Sequence, residues 1–242
     1  MTKLYRKSEI GFAFAWIVAY IVLSAAGEWL SETIGVQKSA VAALHLFMAV
    51  VLFVWIRRNG LTEKYGLCAP KLPAKRFLFY LPLAVIASSA LWSGFALGYG
   101  MPGTIFYVIS MCCVGFLEEV IFRGLLFRAL EKNGRGCAIV VSSLTFGIGH
   151  IINLIAGQDV AETLVQIVFA IFVGFVLVTI FVQSGSLIPC IVFHALNNVL
   201  CGFANDTTDP TTKMIINAAL TFVVLGGYLL YLWLPRRGRK TE

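Results

Sequence analysis

The stretch VAETLVQIVFAIFVGFVLVTIFVQ, residues 160–183, is apolar along almost its whole length. Glu162 is the one charged residue in it. About 20 apolar residues in a helix are enough to cross the ~30 Å hydrocarbon core of a bilayer. A helix is the expected form, because lipid-exposed open strands would leave backbone hydrogen-bonding groups unsatisfied. The stretch therefore predicts a membrane-spanning helix.

The composition of the whole chain supports the same fold class. Of its 242 residues, 59% are hydrophobic and 13% are charged, whereas a soluble globular protein has about 25% charged residues to hydrate its surface. This composition also excludes a disordered chain, a secreted disulfide scaffold and a coiled coil. The six cysteines form no CxxC pair, so we expect neither a disulfide nor a metal cluster. We predict an all-α, polytopic transmembrane helical bundle.

Similar apolar runs recur along the chain and predict about eight membrane helices. They lie at residues 10–30, 39–56, 77–98, 104–130, 137–155, 160–183, 187–203 and 213–234. Within a single membrane domain we distinguish three segments. Residues 1–103 hold the first three helices and a basic loop at 57–76, residues 104–203 form a core, and residues 204–242 hold the last helix and a basic tail.

The basic residues predict the orientation of these helices. With the N-terminus in the cytoplasm, all but two of the 19 Lys and Arg residues fall on the cytoplasmic side, the exceptions being Lys38 and Lys213. This bias is typical of correctly counted spans and places both termini in the cytoplasm. The net charge of +7 thus indicates topology and contact with anionic lipids, and we expect no nucleic-acid binding.

The first span has two interpretations. It follows Arg6 and Lys7, and Ser24-Ala25-Ala26 is similar to a signal-peptide cleavage site. Its apolar run is long for a signal peptide, so we expect a retained membrane anchor.

Ionisable side chains inside a membrane cost several kcal/mol and are candidates for function. The first group is Glu118-Glu119 with Arg123 in the fourth span. Glu119 and Arg123 are four residues apart and share a helix face, so they can form an ion pair. Glu118 points about 100° away around the helix and is left to face a cavity. The alternative is that both glutamates mark the water-exposed end of the span.

Two further groups contain histidine. Phe146 and His150 lie in the fifth span, where Gly147 and Gly149 leave room for another helix or a substrate backbone. In the seventh span, His194 and Asn198 project from one helix face and can donate hydrogen bonds to an oxyanion. Each group could instead be a polar contact between helices. We assign the isolated His45, in the second span, to such packing.

The depth of the three groups favours a common polar site. Counted along each helix from its cytoplasmic end, Glu118 and His194 lie at ~15 Å and His150 at ~20 Å. Independent helix contacts would not usually align in this way, so we predict one intramembrane site.

In this order, the motifs Glu118-Glu119…Arg123, Phe146…His150 and His194…Asn198 resemble the EExxxR, FxxxH and HxxxN/D pattern of the CAAX protease and bacteriocin-processing family. This family is also known as CPBP, Abi-type or type II CAAX prenyl endopeptidase-like. The resemblance covers roughly residues 104–203. It implies an intramembrane endopeptidase whose cavity opens to the cytoplasm.

The resemblance also implies residue roles. Glu118 and His150 would activate a water, His194 and Asn198 would stabilise the oxyanion, and Glu119 with Arg123 would support the site together with Phe146. Two mechanisms stay open. Glu118, His150 and His194 could hold zinc with one open position, but the sequence has no HExxH, and we favour a metal-free site with Glu118 as general base.

The expected function is hydrolysis of peptide bonds in a membrane-associated substrate, either CAAX-type and lipidated or a bacteriocin or signal peptide. One alternative is a non-catalytic immunity or binding protein, and a weaker one is a proton-coupled transporter. We expect the protein to lie in a prokaryotic cytoplasmic membrane. The sequence does not predict its oligomeric state.

Overall fold

The computed structural model describes residues 1–71, 80–92, 94–205 and 209–233. Apart from an isolated antiparallel bridge between Phe95 and Ala204, these residues contain helices, turns and loops but no strand. The predicted all-α fold is confirmed. The α-helices are α1 Thr2–Lys7, α2 Glu9–Ile34, α3 Ser39–Arg58, α4 Leu81–Ser89, α5 Met101–Glu118, α6 Arg128–Glu131, α7 Arg135–Ile148, α8 Ile152–Ile155, α9 Val160–Ser184, α10 Ile188–Cys201, α11 Pro210–Ala219 and α12 Gly226–Trp233.

Several of these helices join into longer rods. A π-helix at Glu119–Phe127 connects α5 to α6, and another at Leu220–Leu225 connects α11 to α12. A 3-10 turn at Gly149–Ile151 connects α7 to α8. Six helical rods of the described residues are therefore long and apolar enough to cross a membrane. They are Glu9–Ile34, Ser39–Arg58, Met101–Glu131, Arg135–Ile155, Val160–Ser184 and Ile215–Trp233.

The outward-facing surfaces of these rods are apolar, as are the faces that pack inside the bundle. Large side chains such as Phe47, Leu164 and Val223 are exposed along them. Contiguous apolar surface of this kind is typical of contact with lipid, not water. The protein is an integral membrane protein.

The predicted count of about eight spans is not confirmed, since two of the predicted spans hold short helices in the described residues. Within the predicted span 77–98, α4 has nine residues and ends at Ser89, which makes it about 14 Å long. Residues 77–79 and 93 lie outside the described residues. In place of the predicted span 187–203, α10 has 14 residues and is about 21 Å long. Both are shorter than the hydrocarbon core of a bilayer. The sequence does not predict this, because an apolar window does not reveal where a helix ends inside it.

The two short helices pack together and run in the same direction. Near the start of α10, the Leu187 amide donates to the carbonyl of Gly66 over 2.7 Å. Beyond the far ends of both helices, the Ala96 amide donates to the carbonyl of Phe203 over 2.9 Å, and the Asn205 amide donates to the carbonyl of Gly94 over 3.0 Å. The loops that follow α4 and α10 are thus joined at one end of the bundle.

The opposite end, which we call the basic end, holds Lys64, Arg128 and Lys132. Glu9 accepts hydrogen bonds from Lys64 over 2.9 Å and from Lys132 over 2.8 Å, and Arg128 Nε donates to the Lys64 carbonyl over 3.1 Å. Burial lowers the pKa of Lys64, but its hydrogen bonds to Tyr5 and Glu9 outweigh burial and raise the pKa overall. These contacts tie the loop after α3 to the start of α2 and to the end of the central rod.

The side of the membrane on which the basic end lies stays a prediction, as does the cytoplasmic position of both termini. Several of the basic residues that predict this orientation lie outside the described residues. They are Lys75 and Arg76 of the predicted loop 57–76 and Arg236, Arg237, Arg239 and Lys240 of the predicted C-terminal tail.

One cluster of buried apolar side chains runs through the bundle, from Phe12 in α2 to Leu232 in α12. The rod Met101–Glu131 lies at its centre and contacts α2, α3, α7 and α10. Polar groups near the middle of this rod therefore meet side chains from several neighbouring helices.

Candidate active site

Two adjacent glutamates mark the point where α5 becomes a π-helix. Glu118 is the last residue of α5, and Glu119 begins the nine-residue π-helix, all of which is buried. Turns of this type are rare and often occur at functional sites. The Glu119 side chain is 0% exposed and the Glu118 side chain is 13% exposed. Only Glu118 of this pair is accessible to a small molecule such as water.

Glu119 belongs to a buried ion pair, as its four-residue spacing from Arg123 predicts. Arg123 Nη1 donates to Glu119 Oε1 over 2.9 Å, and both side chains are completely buried. The Arg123 guanidinium also lies over the ring of Phe146, with Cζ 4.0 Å from the ring centroid. An aromatic face attracts a cation most strongly where water is absent. Phe146 and Glu119 together therefore stabilise the buried charge of Arg123.

His194, in α10, lies between the two carboxylates. Its Nδ1 is 2.8 Å from Glu119 Oε1, and its Nε2 is 3.4 Å from Glu118 Oε2. An ionised carboxylate can only accept hydrogen bonds, so Nδ1 is the donor to Glu119. Nε2 is then the ring atom directed towards Glu118 and the partly accessible side of the site.

A glycine allows α10 to approach α5 closely enough for these contacts. A Cβ atom on Gly115 would lie 2.6 Å from the backbone nitrogen of Ala195. Real Cβ atoms essentially never make such a contact, so the close approach of the two helices requires glycine here. Ala195 follows His194 directly, and Gly115 precedes Glu119 by about one helical turn. The contact therefore sets the distance between the histidine and the glutamates.

His150 lies in the 3-10 turn that ends α7 and is half-buried. Its Nδ1 is 3.2 Å from the carbonyl oxygen of Phe146. Since a carbonyl only accepts, Nδ1 donates this hydrogen bond and Nε2 is left as an acceptor in the neutral ring. The Phe146 ring contacts His150 at 5.4 Å and His194 at 5.7 Å between centroids, in both cases edge to face. Phe146 thus brings the two histidines to the same region.

The two glycines beside His150 have different surroundings. A Cβ on Gly147 would lie 2.8 Å from the backbone nitrogen of Ile171, so this glycine allows α9 to pack closely, as predicted. A Cβ on Gly149 would meet no atom within 4 Å. The surface beside Gly149 is open.

Asn198 lies one helical turn beyond His194 on α10. Its backbone carbonyl accepts a hydrogen bond from the Tyr107 hydroxyl over 2.6 Å. Its half-buried side-chain amide makes no hydrogen bond with the described residues. The helical spacing puts this amide on the same face of α10 as His194.

The structure does not bring all predicted site residues into contact. Glu118, Glu119, Arg123, Phe146 and His194 form one connected group, to which His150 is joined through Phe146. In the described part of the chain, no three His, Cys, Asp or Glu side chains converge as metal ligands would. The arrangement of Glu118, His150 and His194 therefore does not fit a three-ligand zinc site.

One polar contact of Glu118 lies outside the sequence motifs. The Tyr20 hydroxyl in α2 donates to Glu118 Oε1 over 2.7 Å. Tyr20 also stacks on His45, whose ring nitrogens lie 2.8 Å from the hydroxyls of Ser24 and Ser110. His45 does form a helix contact, as predicted, but one that reaches the candidate site. The sequence signal for this contact is the helical spacing of Tyr20 and Ser24 in the first span and of Ser110 and Glu118 in the fourth.

Comparison with known proteins bears on the family to which the central segment is similar. The family model described as type II CAAX prenyl endopeptidase Rce1-like matches residues 100–200, which contain all the predicted site residues. No curated protein and no solved structure matches the chain. The matched segment agrees with the family resemblance that the three motifs predict, and it makes this part of the chain similar to the Rce1-like CAAX endopeptidases.

Proposed function

We propose that this protein hydrolyses peptide bonds of a membrane-associated substrate, with Glu118 as the general base. The observation that carries the proposal is the environment of Glu118. One of its oxygens accepts a hydrogen bond from Tyr20, while the other faces His194 Nε2 at 3.4 Å on the accessible side. The adjacent Glu119 has no such freedom, because it is fully buried against Arg123.

The proposed reaction begins with a water between Glu118 and the scissile carbonyl. Glu118 Oε2 takes a proton from the water as the water oxygen bonds to the carbonyl carbon, and the carbonyl electron pair moves onto oxygen. His150, through Nε2, would accept the second hydrogen bond of the water and orient it. Proton transfer to a positioned carboxylate contributes roughly 10²–10⁴-fold to such reactions.

The negative oxygen formed in this step needs hydrogen-bond donors. His194 Nε2 and the Asn198 amide are the proposed donors, since both lie on the same face of α10. Because Nδ1 of His194 already donates to Glu119, a donating Nε2 requires the doubly protonated ring. Glu118 and Glu119 lie on either side of the ring, 3.4 Å and 2.8 Å from its two nitrogens. Collapse of the intermediate breaks the C–N bond, and the proton on Glu118 passes to the leaving nitrogen.

The proposed substrates are peptides or proteins held in the bilayer, in keeping with the depth of the site. A CAAX-type lipidated C-terminus, a bacteriocin precursor and a signal peptide are the substrate types to compare. We propose a prokaryotic cytoplasmic membrane as the location, with anionic lipids contacting the basic end.

The test is cleavage of a quenched peptide panel, lipidated and unlipidated, by protein purified in detergent. Glu118→Gln keeps the shape of the side chain and removes the base, so we expect kcat to fall by at least about 10²-fold. His194→Ala should also be inactive. Glu28→Gln is the matched control and should keep its activity. Glu28 is a carboxylate of helix α2 that pairs with Lys38, at the end of the bundle opposite to the basic end.

Full activity of Glu118→Gln would contradict the proposed mechanism. A Glu118→Gln protein that binds peptide but does not cleave it supports catalysis over binding alone. If the wild-type protein binds peptides from the panel with high affinity and cleaves none, the binding-only function is favoured instead.

A further inference from the structure

The proposed base is held by a residue from a helix outside the family-matched segment. Tyr20 lies in α2, 98 residues before Glu118, and donates its hydroxyl proton to Glu118 Oε1 over 2.7 Å. The matched segment begins at residue 100. The geometry of Glu118 thus depends on a part of the chain that carries none of the recognised motifs.

Tyr20 is in turn held by a buried polar group, which we call the His45 cluster and which consists of His45, Ser24 and Ser110. The rings of Tyr20 and His45 stack with centroids 5.7 Å apart and an interplanar angle of 29°. His45 is 3% exposed, with Nδ1 2.8 Å from Ser110 Oγ and Nε2 2.8 Å from Ser24 Oγ. Because both ring nitrogens have partners, the orientation of the His45 ring is fully specified.

The His45 cluster links three helices around the site. Ser24 lies one turn beyond Tyr20 on α2, His45 belongs to α3, and Ser110 lies about two turns before Glu118 on α5. Ser110 of α5 contacts His45, His45 stacks on Tyr20, and Tyr20 donates to Glu118 of the same helix α5. Such a closed arrangement fixes the hydroxyl relative to the helix that carries the base.

We propose that Tyr20 is a positioning residue of the active site, fixed by the His45 cluster. This inference rests on the proposed role of Glu118 as general base. By holding Oε1, Tyr20 fixes the rotation of the carboxylate and directs Oε2 to the water. Tyr20 touches neither the water nor the peptide, and its effect is exerted through Glu118. A small misplacement of a reacting group is enough to lower a rate substantially.

The charged groups around Glu118 do not replace this contact. His194 approaches the other oxygen, at 3.4 Å, and Glu119 with Arg123 forms a separate buried pair. Among the described residues, the Tyr20 hydroxyl is the one partner that the structure gives to Oε1. Its removal therefore leaves the carboxylate free to rotate.

The first experiment is Tyr20→Phe, which deletes the hydroxyl and keeps the ring on His45. A hydrogen bond to a charged group is worth enough that kcat should fall about 10- to 100-fold, while KM stays within about threefold of the wild-type value. Tyr65→Phe is the matched control. Tyr65 is 1% exposed and its hydroxyl pairs with Tyr5 at the basic end, so kcat should be unchanged.

The second experiment tests whether the His45 cluster acts through Tyr20. His45→Phe keeps a ring for Tyr20 to stack on but removes both hydrogen bonds. It should lower kcat in the wild-type background and have little further effect in Tyr20→Phe, because coupled residues are not additive. Ser24→Ala is a milder variant for use if His45→Phe does not fold.

The third experiment does not require cleavage. Infrared difference spectra of the wild-type protein and Glu118→Gln identify the carboxyl bands of Glu118. Loss of the hydrogen bond in Tyr20→Phe should shift these bands, whereas Tyr65→Phe should leave them in place. A purely structural role of Tyr20 would lower thermal stability without moving them.

The results separate the two proposals. If Glu118→Gln is inactive while Tyr20→Phe keeps the wild-type kcat, the positioning role is wrong and the base assignment stands. If Glu118→Gln is fully active, the proposed function is wrong and the positioning role is lost with it. If no tested peptide is cleaved by any form, the infrared bands decide, and unchanged bands in Tyr20→Phe overturn the inference.

Discussion

His194 Nδ1 lies 2.8 Å from Glu119 Oε1, the same oxygen that Arg123 contacts at 2.9 Å. One carboxylate oxygen therefore joins a buried ion pair, which contributes to the fold, to the histidine of the candidate site. Glu119 Oε2 and the Arg123 nitrogens Nε and Nη2 have no hydrogen-bond partner among the described residues. Because Arg123 has no other hydrogen-bond partner among the described residues, the loss of Glu119 would leave its charge uncompensated.

The first prediction concerns the different roles of the two adjacent glutamates. Glu119→Gln leaves the Arg123 guanidinium buried without its counter-charge. We expect the free energy of unfolding to fall by about 3–5 kcal/mol, since breaking a buried ion pair leaves an uncompensated charge. Thermal unfolding in detergent measures this as a lower Tm.

Glu118→Gln is the control for this variant. The Tyr20 hydroxyl can still donate to the glutamine oxygen, and the Glu118 side chain is partly exposed, so Tm should change little. Equal losses of Tm in the two variants would show that the carboxylates have similar structural roles.

The second prediction concerns Phe146, which contacts Arg123, His150 and His194. Phe146→Leu keeps an apolar side chain but removes the aromatic face over Arg123 and the edges against both histidines. We expect a loss of about 1–3 kcal/mol of stability together with a lower kcat. Chemical denaturation and cleavage assays measure the two effects separately.

Phe172→Leu is the matched control for Phe146. Phe172, in α9, makes an edge-to-face contact with Phe222 at 5.5 Å, and among the described residues its ring pairs with no ring of the site. It should lose some stability at unchanged kcat. A normal kcat in Phe146→Leu would indicate that the histidines are oriented without this ring.

The third prediction concerns the close approach of α5 and α10. A Cβ at Gly115 would lie 2.6 Å and 2.8 Å from the Ala195 backbone atoms N and Cα, so Gly115→Ala must push the helices apart. A displacement of about 1 Å at His194 can lower kcat about 10²-fold. The test compares kcat of Gly115→Ala with that of the wild-type protein, after Tm has shown that both proteins are folded.

Gly136→Ala serves as the comparison for Gly115. Gly136 also lies in a helix, α7, but a Cβ there would meet no atom within 4 Å. Alanine has the higher helix propensity, so stability should be equal or slightly greater. If Gly115→Ala were equally harmless, the distance between α5 and α10 would not control the site.

The fourth prediction concerns metal. With Glu118 as the base, cleavage should survive incubation with strong chelators. Zinc sites need three or four converging protein ligands, and the described residues offer no such group. Loss of activity on chelation, with recovery on addition of Zn²⁺, would reverse this expectation and assign the chemistry to a metal.

Apolar runs predicted the bundle and most of its long helices, because hydrophobic length is a local property of the chain. They did not predict the lengths of α4 and α10, which are short helices within apolar windows. Beyond the two helices, hydrogen bonds join Ala96 to Phe203 and Asn205 to Gly94, so the residues after each helix form paired loops. Packing of the two helices against one another and against the bundle is a tertiary effect that hydropathy does not record.

The sequence was sufficient to predict an all-α membrane protein and the motif residues of a candidate site, but not the contact of Tyr20. The four-residue spacing of Glu119 and Arg123 was sufficient to predict their ion pair, because both lie on one helix. Tertiary structure alone decided that His194 reaches Glu119, and that Tyr20 reaches Glu118 across 98 residues. Such contacts depend on how helices pack, including the approach that Gly115 permits, and no periodicity within a single helix specifies them.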